Sequence, residues 1–592
     1  MRDFGRDSLR SDNNRPLASS FFVTRDFLMG SIRLACGVDS FLKDNYSRLY
    51  KNATFSNSND GFLGTSKCRK PRPPIFVHGR VSRPGISGLS STLQATNLPI
   101  ADEFLHFGPF RRRKFQGERL WTASELAEAV DGEIVIPAPA GTISTDTRKL
   151  MPGQWFFAFA GENFDGHDFV DRALADKGCV GVIGNRVCED WERGFIKVEG
   201  DTLVALDKLA IFARNRFDGI LVGLTGSVGK TTTRSMIALA LGSLGIVHQT
   251  PGNLNYMVGV AMTLIGIPRD AKTSVVELGL GGEKGEILTM ARMCRPSVRV
   301  LLNVEYSHMN QFTSLEEVAR AKGELFTEAK PGDICVLNAD DPFVMGVPVP
   351  LGVKKVLFGR KRGCDVRLAS AECVDGGCSV HVVLESKMHS YENQFSGPSG
   401  ITPELVEFKI ASPGLHLAMN ACAAAAVALS LGIPLTQIGE ALSRFRPVSM
   451  RSEMEVTENG ITIINDTYNA NTSSMSAAIN MLKSMDCMGK RVAILGDMLE
   501  LGAAEADAHE RVLKLCVDPS IALVMLAGKR FTAAAEKLNI FGKGNVICAC
   551  DSAMLSPSIT KELAGGDVVL VKGSRGMQME KAVDVIKVVN NW

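Results

Sequence analysis

From residue 119 onward, short apolar runs alternate with glycine or polar turns and with helical patterns. The clearest unit joins a β-rich run at 220–225, a turn at 226–229 and a helical pattern over 231–244. Apolar runs at 274–278 and 298–303 then end in polar residues. Strands alternating with helices predict a parallel, doubly wound sheet. Ligands of such sheets bind beyond the carboxyl ends of the strands.

Two further α/β segments flank this central one. The preceding segment opens at Thr122-Ala123-Ser124-Glu125, which predicts a helix start with a capping box, and it ends near Phe217. The following segment starts near Met450 and repeats strands and polar turns, with strands predicted at 461–464, 491–495, 522–527 and 567–571. This third segment resembles a small dinucleotide-type domain. It has no Gly-x-Gly-x-x-Gly sequence, so we expect no bound dinucleotide.

The charge is distributed unevenly along the chain. The 592 residues carry a net charge of +2, but residues 1–100 hold 15 Lys and Arg against 7 Asp, with no Glu and 14 Ser, and the rest is net −6. A basic, hydroxyl-rich and acid-poor leader is typical of an organelle transit peptide; the alternative is a disordered regulatory tail. We interpret the basic run at 111–114 as a solvated linker. Because no aromatic-interleaved basic surface follows it, we expect no nucleic-acid partner.

Neither a membrane span nor a disulfide framework is expected. No stretch reaches the roughly 18–20 uninterrupted apolar residues of a transmembrane helix, and the Ala-rich run at 418–435 predicts a helix packed inside a domain. The 14 cysteines are scattered and form no Cys-x-x-Cys pair, which favours a reducing compartment and no zinc site. Cys548 and Cys550 are predicted to be core strand residues.

The strongest chemical signal is a phosphate loop, Gly226-Ser227-Val228-Gly229-Lys230-Thr231-Thr232. It follows a predicted strand and opens a predicted helix, where backbone amides and the helix N-terminus attract phosphate. Lys230 would reach the β- and γ-phosphates of ATP, and the Thr231 hydroxyl would hold Mg²⁺. Leu224 stands where the longer loop has glycine, so this is the short Gly-x-x-Gly-Lys-Thr form. A chance turn is the alternative interpretation.

Further polar residues follow the next predicted strands. Glu277 offers a carboxylate for a hard cation, although a turn carboxylate is an equal alternative. A lone histidine such as His308 is more often structural than functional, and most lysines in the position of Lys322 are simply solvated. Asn338 suits a contact with the base or ribose of a nucleotide, but it also suits an ordinary turn.

In combination, these residues resemble the Mur ligase family, the ATP-dependent amide-forming enzymes of peptidoglycan precursor assembly. The resemblance covers residues 119–592 and implies that Glu277, His308 and a carbamylated Lys322 bind metal. The family's Gly-x-His-Asn-x-x-Asn motif reads Gly-Leu-His-Leu-Ala-Met-Asn at 414–420, which keeps Asn420 but places Leu417 at the first Asn. The family's Arg and Asp of the third domain match Arg451 and Asp466, which would contact the nucleotide.

Within the family, the resemblance points to the branch that adds D-alanyl-D-alanine to a UDP-N-acetylmuramoyl-tripeptide. The residues on which this resemblance depends include the Asn-Asp-Thr-Tyr-Asn-Ala-Asn run at 465–471. The resemblance would place Asn469 and Asn471 at the substrate. In the first segment, the motifs at 144–148 and 161–168 match the family's UDP-sugar end, with Ser144, Asp146 and Arg148 as substrate contacts. The Asp-Asn-Pro-Arg motif expected of the diaminopimelate-adding relative is missing.

The resemblance implies a three-domain α/β Mur ligase architecture with a central phosphate-loop domain and a C-terminal Rossmann-like domain. We expect a leader and linker at 1–115, a UDP-sugar domain at 116–217, an ATP domain at 218–446 and a C-terminal domain at 447–592. A monomer in the plastid is expected, with the mitochondrion as the alternative. Two other functions stay open: a folylpolyglutamate synthase-like ligase, against which residues 119–217 argue, and a non-catalytic scaffold, which only Leu417 favours.

Overall fold

The computed structural model describes residues 119–161, 164–281, 283–306, 311–388 and 403–588. Within them, three sheets follow one another along the chain. The predicted leader and His308 lie outside the described residues. None of the described helices is long and apolar enough to cross a membrane.

The first sheet has five strands in the order β1-β5-β4-β3-β2, with β1 antiparallel to its neighbour and the others parallel. Its first helix begins at the predicted capping box, where Thr122 and Glu125 exchange hydrogen bonds. The strands are Glu133–Ile136 (β1), Ile143–Ser144 (β2), Trp155–Phe157 (β3), Gly181–Gly184 (β4) and Gly194–Lys197 (β5). The helices are Ala123–Val130 (α1), Arg172–Asp176 (α2) and Thr202–Asn215 (α3).

The central sheet has nine strands. They are Ile220–Thr225 (β6), Val247–Gln249 (β7), Thr273–Glu277 (β8), Val298–Leu301 (β9), Ile334–Asn338 (β10), Lys354–Gly359 (β11), Val366–Val374 (β12), Ser379–Ser386 (β13) and Glu404–Ile410 (β14). Their order is β14-β13-β12-β11-β10-β9-β6-β8-β7. The strand order reverses between β6 and β9, so the phosphate loop after β6 lies at the switch point where doubly wound sheets bind ligands.

The helices of this region cover the parallel strands. They are Lys230–Ala240 (α4), Met257–Ile265 (α5), Glu286–Cys294 (α6), Leu315–Gly323 (α7), Pro342–Met345 (α8), His416–Ser430 (α9) and Leu435–Ser443 (α10). The Ala-rich helix α9 is buried against α4, as its composition predicted. The helix predicted over 231–244 ends at Ala240 and is followed by a short 3₁₀ turn, Gly242–Leu244.

The third sheet has six strands in the order β15-β16-β20-β17-β18-β19, parallel except for the edge strand β15. The strands are Glu453–Val456 (β15), Thr462–Asp466 (β16), Arg491–Gly496 (β17), Leu523–Ala527 (β18), Val546–Ala549 (β19) and Val568–Lys572 (β20). The helices are Thr472–Ser484 (α11), Glu505–Cys516 (α12), Lys529–Lys537 (α13), Ser556–Glu562 (α14) and Glu580–Lys587 (α15).

One expectation from the pattern needs correction, and one part of the central sheet was not predicted. Cys548 lies on β19, but Cys550 follows the strand and is exposed, because the chain turns away from the sheet there. The antiparallel extension β12–β14 was not predicted. Its strands have one face on the core and one in solvent, so they lack the continuous apolar runs of the parallel strands.

Candidate active site

The phosphate loop joins β6 to α4. Gly229 adopts a left-handed conformation (φ 78°), and α4 begins after it with no side-chain cap. The first amides of a helix lack partners within the helix, so an uncapped start beside a glycine loop suits an anion. A Cβ at Gly229 would lie 2.8 Å from Oδ1 of Asn420 on α9, which places that predicted nucleotide residue against the loop. Thr232 lies half-buried in the first turn of α4.

Asn303, two residues beyond β9, braces this loop. Its Oδ1 accepts hydrogen bonds from the amides of Ser227 and Val228, both at 2.9 Å, and its Nδ2 donates to the Val228 carbonyl at 3.1 Å. The brace exists because β9 pairs directly with β6. The sequence placed Asn303 at a strand end but could not show that it bonds to a loop 75 residues earlier.

Two lysines meet at one carbonyl of the loop. Nζ of Lys230 donates to the Gly226 carbonyl at 2.9 Å, and Nζ of Lys322, on α7, donates to the same oxygen at 3.2 Å. Lys322 is 1% exposed. Burial and the neighbouring Lys230 lower the pKa of Lys322 well below its usual value, with Glu286 opposing. A neutral amine is the form that reacts with CO₂, so this environment suits carbamylation.

Burial also lowers the pKa of Lys230; the Glu277 carboxylate opposes this shift and the Arg451 guanidinium adds to it.

Glu277 ends β8 and is 1% exposed. Its carboxylate accepts hydrogen bonds from the Thr231 hydroxyl at 3.0 Å, from Arg234 Nη1 at 3.1 Å and from Asn255 Nδ2 at 2.8 Å. Carboxylate and hydroxyl oxygens side by side form a donor set that Mg²⁺ prefers. The residues present therefore fit a divalent cation. In the structure, the Arg234 guanidinium balances the buried charge of Glu277. Sequence reasoning missed Arg234 and Asn255, since neither belongs to a motif.

Arg451 and Asp466 occupy the C-terminal side of the site. The Arg451 guanidinium lies 4.0 Å from the ring centroid of Tyr468, a cation–π arrangement that holds the side chain in place. Asp466 forms an ion pair with the buried Lys572 at 2.7 Å and accepts the amide of Ser452 at 3.1 Å. These residues are therefore pre-positioned by contacts within their own region.

Three predicted ligand contacts have local bonding partners. The Asn471 side chain caps α11 by accepting the amide of Ser474 at 2.8 Å. Oδ1 of Asn469 accepts the amide of the next residue at 2.8 Å. Asn338 donates to the Leu302 carbonyl at 2.9 Å and accepts the amide of Asp340 at 3.0 Å. Each of these side chains has a clear structural task, and the assigned ligand contacts of all three stay predictions.

The predicted UDP-sugar residues of the first sheet lie together. Asp146 pairs with Arg148 through two hydrogen bonds of 2.9 and 3.0 Å, and its amide donates to the Ser144 hydroxyl at 3.2 Å. The hydrogen bond from Arg148 lowers the pKa of Asp146. The Arg148 side chain is 76% exposed and presents its charge to solvent.

The departure at Leu417 has a packing explanation. Leu417 is 3% exposed and belongs to the core around α9, whereas Asn420, one turn later, faces the phosphate loop. An apolar side chain is the appropriate residue for that buried position.

The site thus combines a phosphate loop at a topological switch point with a buried carboxylate and a buried lysine, which defines an ATP-dependent enzyme of the P-loop type. Models of two families match the chain: the Mur ligase middle domain over residues 224–428, and the Mur ligase glutamate ligase domain over residues 450–575. The chain belongs to the Mur ligase family.

Relatives from several bacteria resemble the chain over nearly their whole length. The UDP-N-acetylmuramoyl-tripeptide–D-alanyl-D-alanine ligase of Bacillus subtilis is 33% identical over 78% of this chain and 97% of its own. The Escherichia coli ligase of the same name is 32% identical, over 79% and 98%.

Solved structures agree with this. A crystal structure of MurF from Acinetobacter baumannii superposes with a TM-score of 0.68 at 27% identity, over 80% of this chain and 99% of that one. MurF from Thermotoga maritima in complex with ADP gives 0.61 at 26% identity, over 76% and 97%.

Proposed function

We propose that the chain is an ATP-dependent ligase that joins D-alanyl-D-alanine to a UDP-N-acetylmuramoyl-tripeptide through an amide bond. The observation that carries this is the uncapped start of α4, with Lys230 and the Glu277–Thr231 oxygen pair beside it. The bacterial relatives named for this reaction support the choice of substrates.

The reaction needs two negative groups to meet, since a substrate carboxylate must attack the γ-phosphate of ATP to form an acyl phosphate. The dipeptide amine then attacks the acyl carbon, and inorganic phosphate leaves. Catalysis of such a step depends mainly on positioning and charge neutralisation. Lys230 and the amides at the start of α4 would neutralise the triphosphate, and Arg451 of the third sheet region would add a further positive charge.

A divalent cation fits the donor set of Glu277 and Thr231, and the family resemblance adds a carbamylated Lys322 and His308. Such a cation, when bound, supplies charge stabilisation to the phosphoryl and carboxylate oxygens. Carbamylation would join the neutral Lys322 amine to CO₂ with release of one proton, which turns a repelling ammonium into an oxygen ligand.

The site is formed by residues of two sheet regions, which favours a closing motion. Closure would complete the charge arrangement and exclude water from a hydrolysable acyl phosphate.

The direct test is phosphate release by the purified chain with ATP, UDP-N-acetylmuramoyl-tripeptide and D-alanyl-D-alanine. We expect release that requires all three substrates and Mg²⁺. A folate with glutamate serves as the control pair and is expected to give none. Activity with the folate pair alone would favour a folylpolyglutamate synthase-like enzyme, and no activity with either pair would favour the scaffold.

We further propose that residues 1–115 direct the protein to the plastid, on the basis of their basic, Glu-free and Ser-rich composition. A fusion of these residues to a fluorescent reporter is expected to enter isolated plastids. Import into mitochondria instead would overturn the plastid assignment.

A further inference from the structure

Glu305 lies between the phosphate loop and the third sheet region. It follows the bracing Asn303 by two residues, and its backbone is bonded to the loop. Its amide donates to the Ser227 hydroxyl at 2.9 Å, and that hydroxyl donates to the Glu305 carbonyl at 3.1 Å. These two hydrogen bonds tie the position of Glu305 to the conformation of the phosphate loop.

The side chain of Glu305 reaches the third sheet region. Its Oε2 accepts a hydrogen bond from the Ser473 hydroxyl at 2.8 Å, across 168 residues of sequence. Ser473 lies in the first turn of α11, where the partial positive charge of the helix N-terminus favours a carboxylate. The helix starts three residues after Asn469, in the segment that also carries Tyr468, against whose ring Arg451 lies.

We propose that Glu305 is a positioning residue that couples docking of the C-terminal region to the phosphate loop. When Ser473 and the N-terminus of α11 hold the Glu305 carboxylate, the hydrogen bonds between Glu305 and Ser227 fix the phosphate loop in place. When the C-terminal region moves away, the carboxylate loses this partner and the loop loses that restraint. This inference rests on the proposed ligase function, because it concerns the turnover of that reaction.

The coupling predicts an effect on turnover more than on nucleotide binding. Ser473→Ala and Glu305→Ala should each lower kcat of the ligation about tenfold, which is the usual weight of a hydrogen bond to a charged group. The dissociation constant for ATP alone should stay within about twofold of wild type, because docking is not needed to bind the triphosphate to the loop. A merely structural defect of the loop would instead weaken ATP binding.

The experiment is a double-mutant cycle in the full chain, measured as kcat of phosphate release with all substrates and as ATP affinity by calorimetry. Glu305→Gln keeps an oxygen acceptor for Ser473 and should restore most of the turnover lost in Glu305→Ala. Ser476→Ala is the matched control, since its hydroxyl is on the same helix but bonds to the carbonyl of Thr472 at 2.8 Å. If Glu305 links the two regions, the double variant Glu305→Ala/Ser473→Ala should be no slower than the slower single variant.

Two results would overturn the coupling: Ser473→Ala as active as Ser476→Ala, or single-variant losses that multiply in the double variant. Failure of the ligase assignment is distinguishable, because wild-type protein would then release no phosphate in the same assay.

Discussion

Two helix starts in this molecule look alike in sequence and differ in chemistry. Helix α4 begins at Gly229-Lys230, and helix α13 begins at Gly528-Lys529; each follows a parallel strand. The start of α4 has no side-chain cap. The start of α13 is occupied by the carboxylate of Asp497, which accepts the amides of Arg530 at 3.0 Å and Phe531 at 2.9 Å.

The difference explains where phosphate can bind. At α13 a protein carboxylate already occupies the anion position, and it lies so close that a Cβ at Gly528 would come within 2.3 Å of it. At α4 the neighbouring strand β9 leads instead to the neutral amide of Asn303, which accepts two loop amides without adding negative charge. The carboxylate of Glu277, at the end of the other neighbour β8, accepts the Thr231 hydroxyl. A Rossmann-like region and a phosphate-loop region can therefore share an architecture while only one accepts a triphosphate.

The largest expected effect distinguishes Lys230, at the start of α4, from Lys529, at the start of α13. Lys230→Ala should lower ATP-dependent phosphate release by about 10³-fold, because it removes a preorganised cation from the transferring phosphoryl group. The matched variant Lys529→Ala removes an exposed lysine at the start of α13 and should change the rate by less than about twofold. Circular dichroism should show both variants folded. Comparable losses in the two variants would contradict the assignment of the phosphate site to α4 alone.

The next effect concerns stability at the other helix. Asp497→Ala should destabilise α13 by about 2 kcal/mol, since two helix amides lose a charged acceptor. Hydrogen exchange measured by mass spectrometry should then quicken in residues 529–537 and stay unchanged in 230–240. Asp497→Asn, which keeps a carbonyl acceptor, should show a smaller change. Unaltered exchange in α13 would mean that the carboxylate does not stabilise this helix start.

A smaller effect is expected from the brace of the loop. Asn303→Ala removes the side-chain acceptor of two loop amides and should raise the dissociation constant for ATP about tenfold. Asn185→Ala is the control, because Asn185 also bridges backbone groups, those of Val198 and Gly200, but in the first sheet region. Equal ATP affinity in the two variants would show that the loop keeps its shape without Asn303.

The smallest effect is the contribution of a third-sheet histidine to the pH dependence of stability. His509 accepts the amide of Met498 through Nε2, and burial lowers the pKa of its imidazole below the usual value. Below about pH 6.5 the unfolded chain binds a proton that the folded imidazole does not. The contribution of His509 to the free energy of unfolding should therefore fall as the pH drops from about 6.5 to the folded pKa, by at most about 1.4 kcal/mol per pH unit.

Urea denaturation between about pH 5 and pH 7 measures this slope. This range is chosen because the usual pKa of histidine is about 6.5. His509→Gln keeps an acceptor but cannot titrate, and it should reduce the slope. The contributions of His248 and His416 should remain, because burial lowers the pKa of those imidazoles as well. A slope that is the same in the variant would assign the proton uptake to another group.

The strands and helices that the sequence predicted lie within a few residues of those observed, because their signals are local. The capping box at Thr122, the phosphate loop and the apolar parallel strands each depend on residues that are neighbours in the chain. The misses have physical causes. The strands β12–β14 were missed because they are half-exposed and lack a continuous apolar run. Asn471 caps α11 in the structure, and its assigned substrate contact stays a prediction.

By itself, the sequence determined the presence of a short phosphate loop at the end of a buried strand, the α/β character of the segments on either side, and the resemblance to a ligase family. Only the tertiary structure decided which groups surround that loop. The bonds of Asn303 to the loop, of Arg234 to Glu277 and of Lys322 to Gly226 join residues 75, 43 and 96 positions apart. The order of strands in a sheet sets these neighbours, and that order results from packing of the whole chain, which no local pattern encodes.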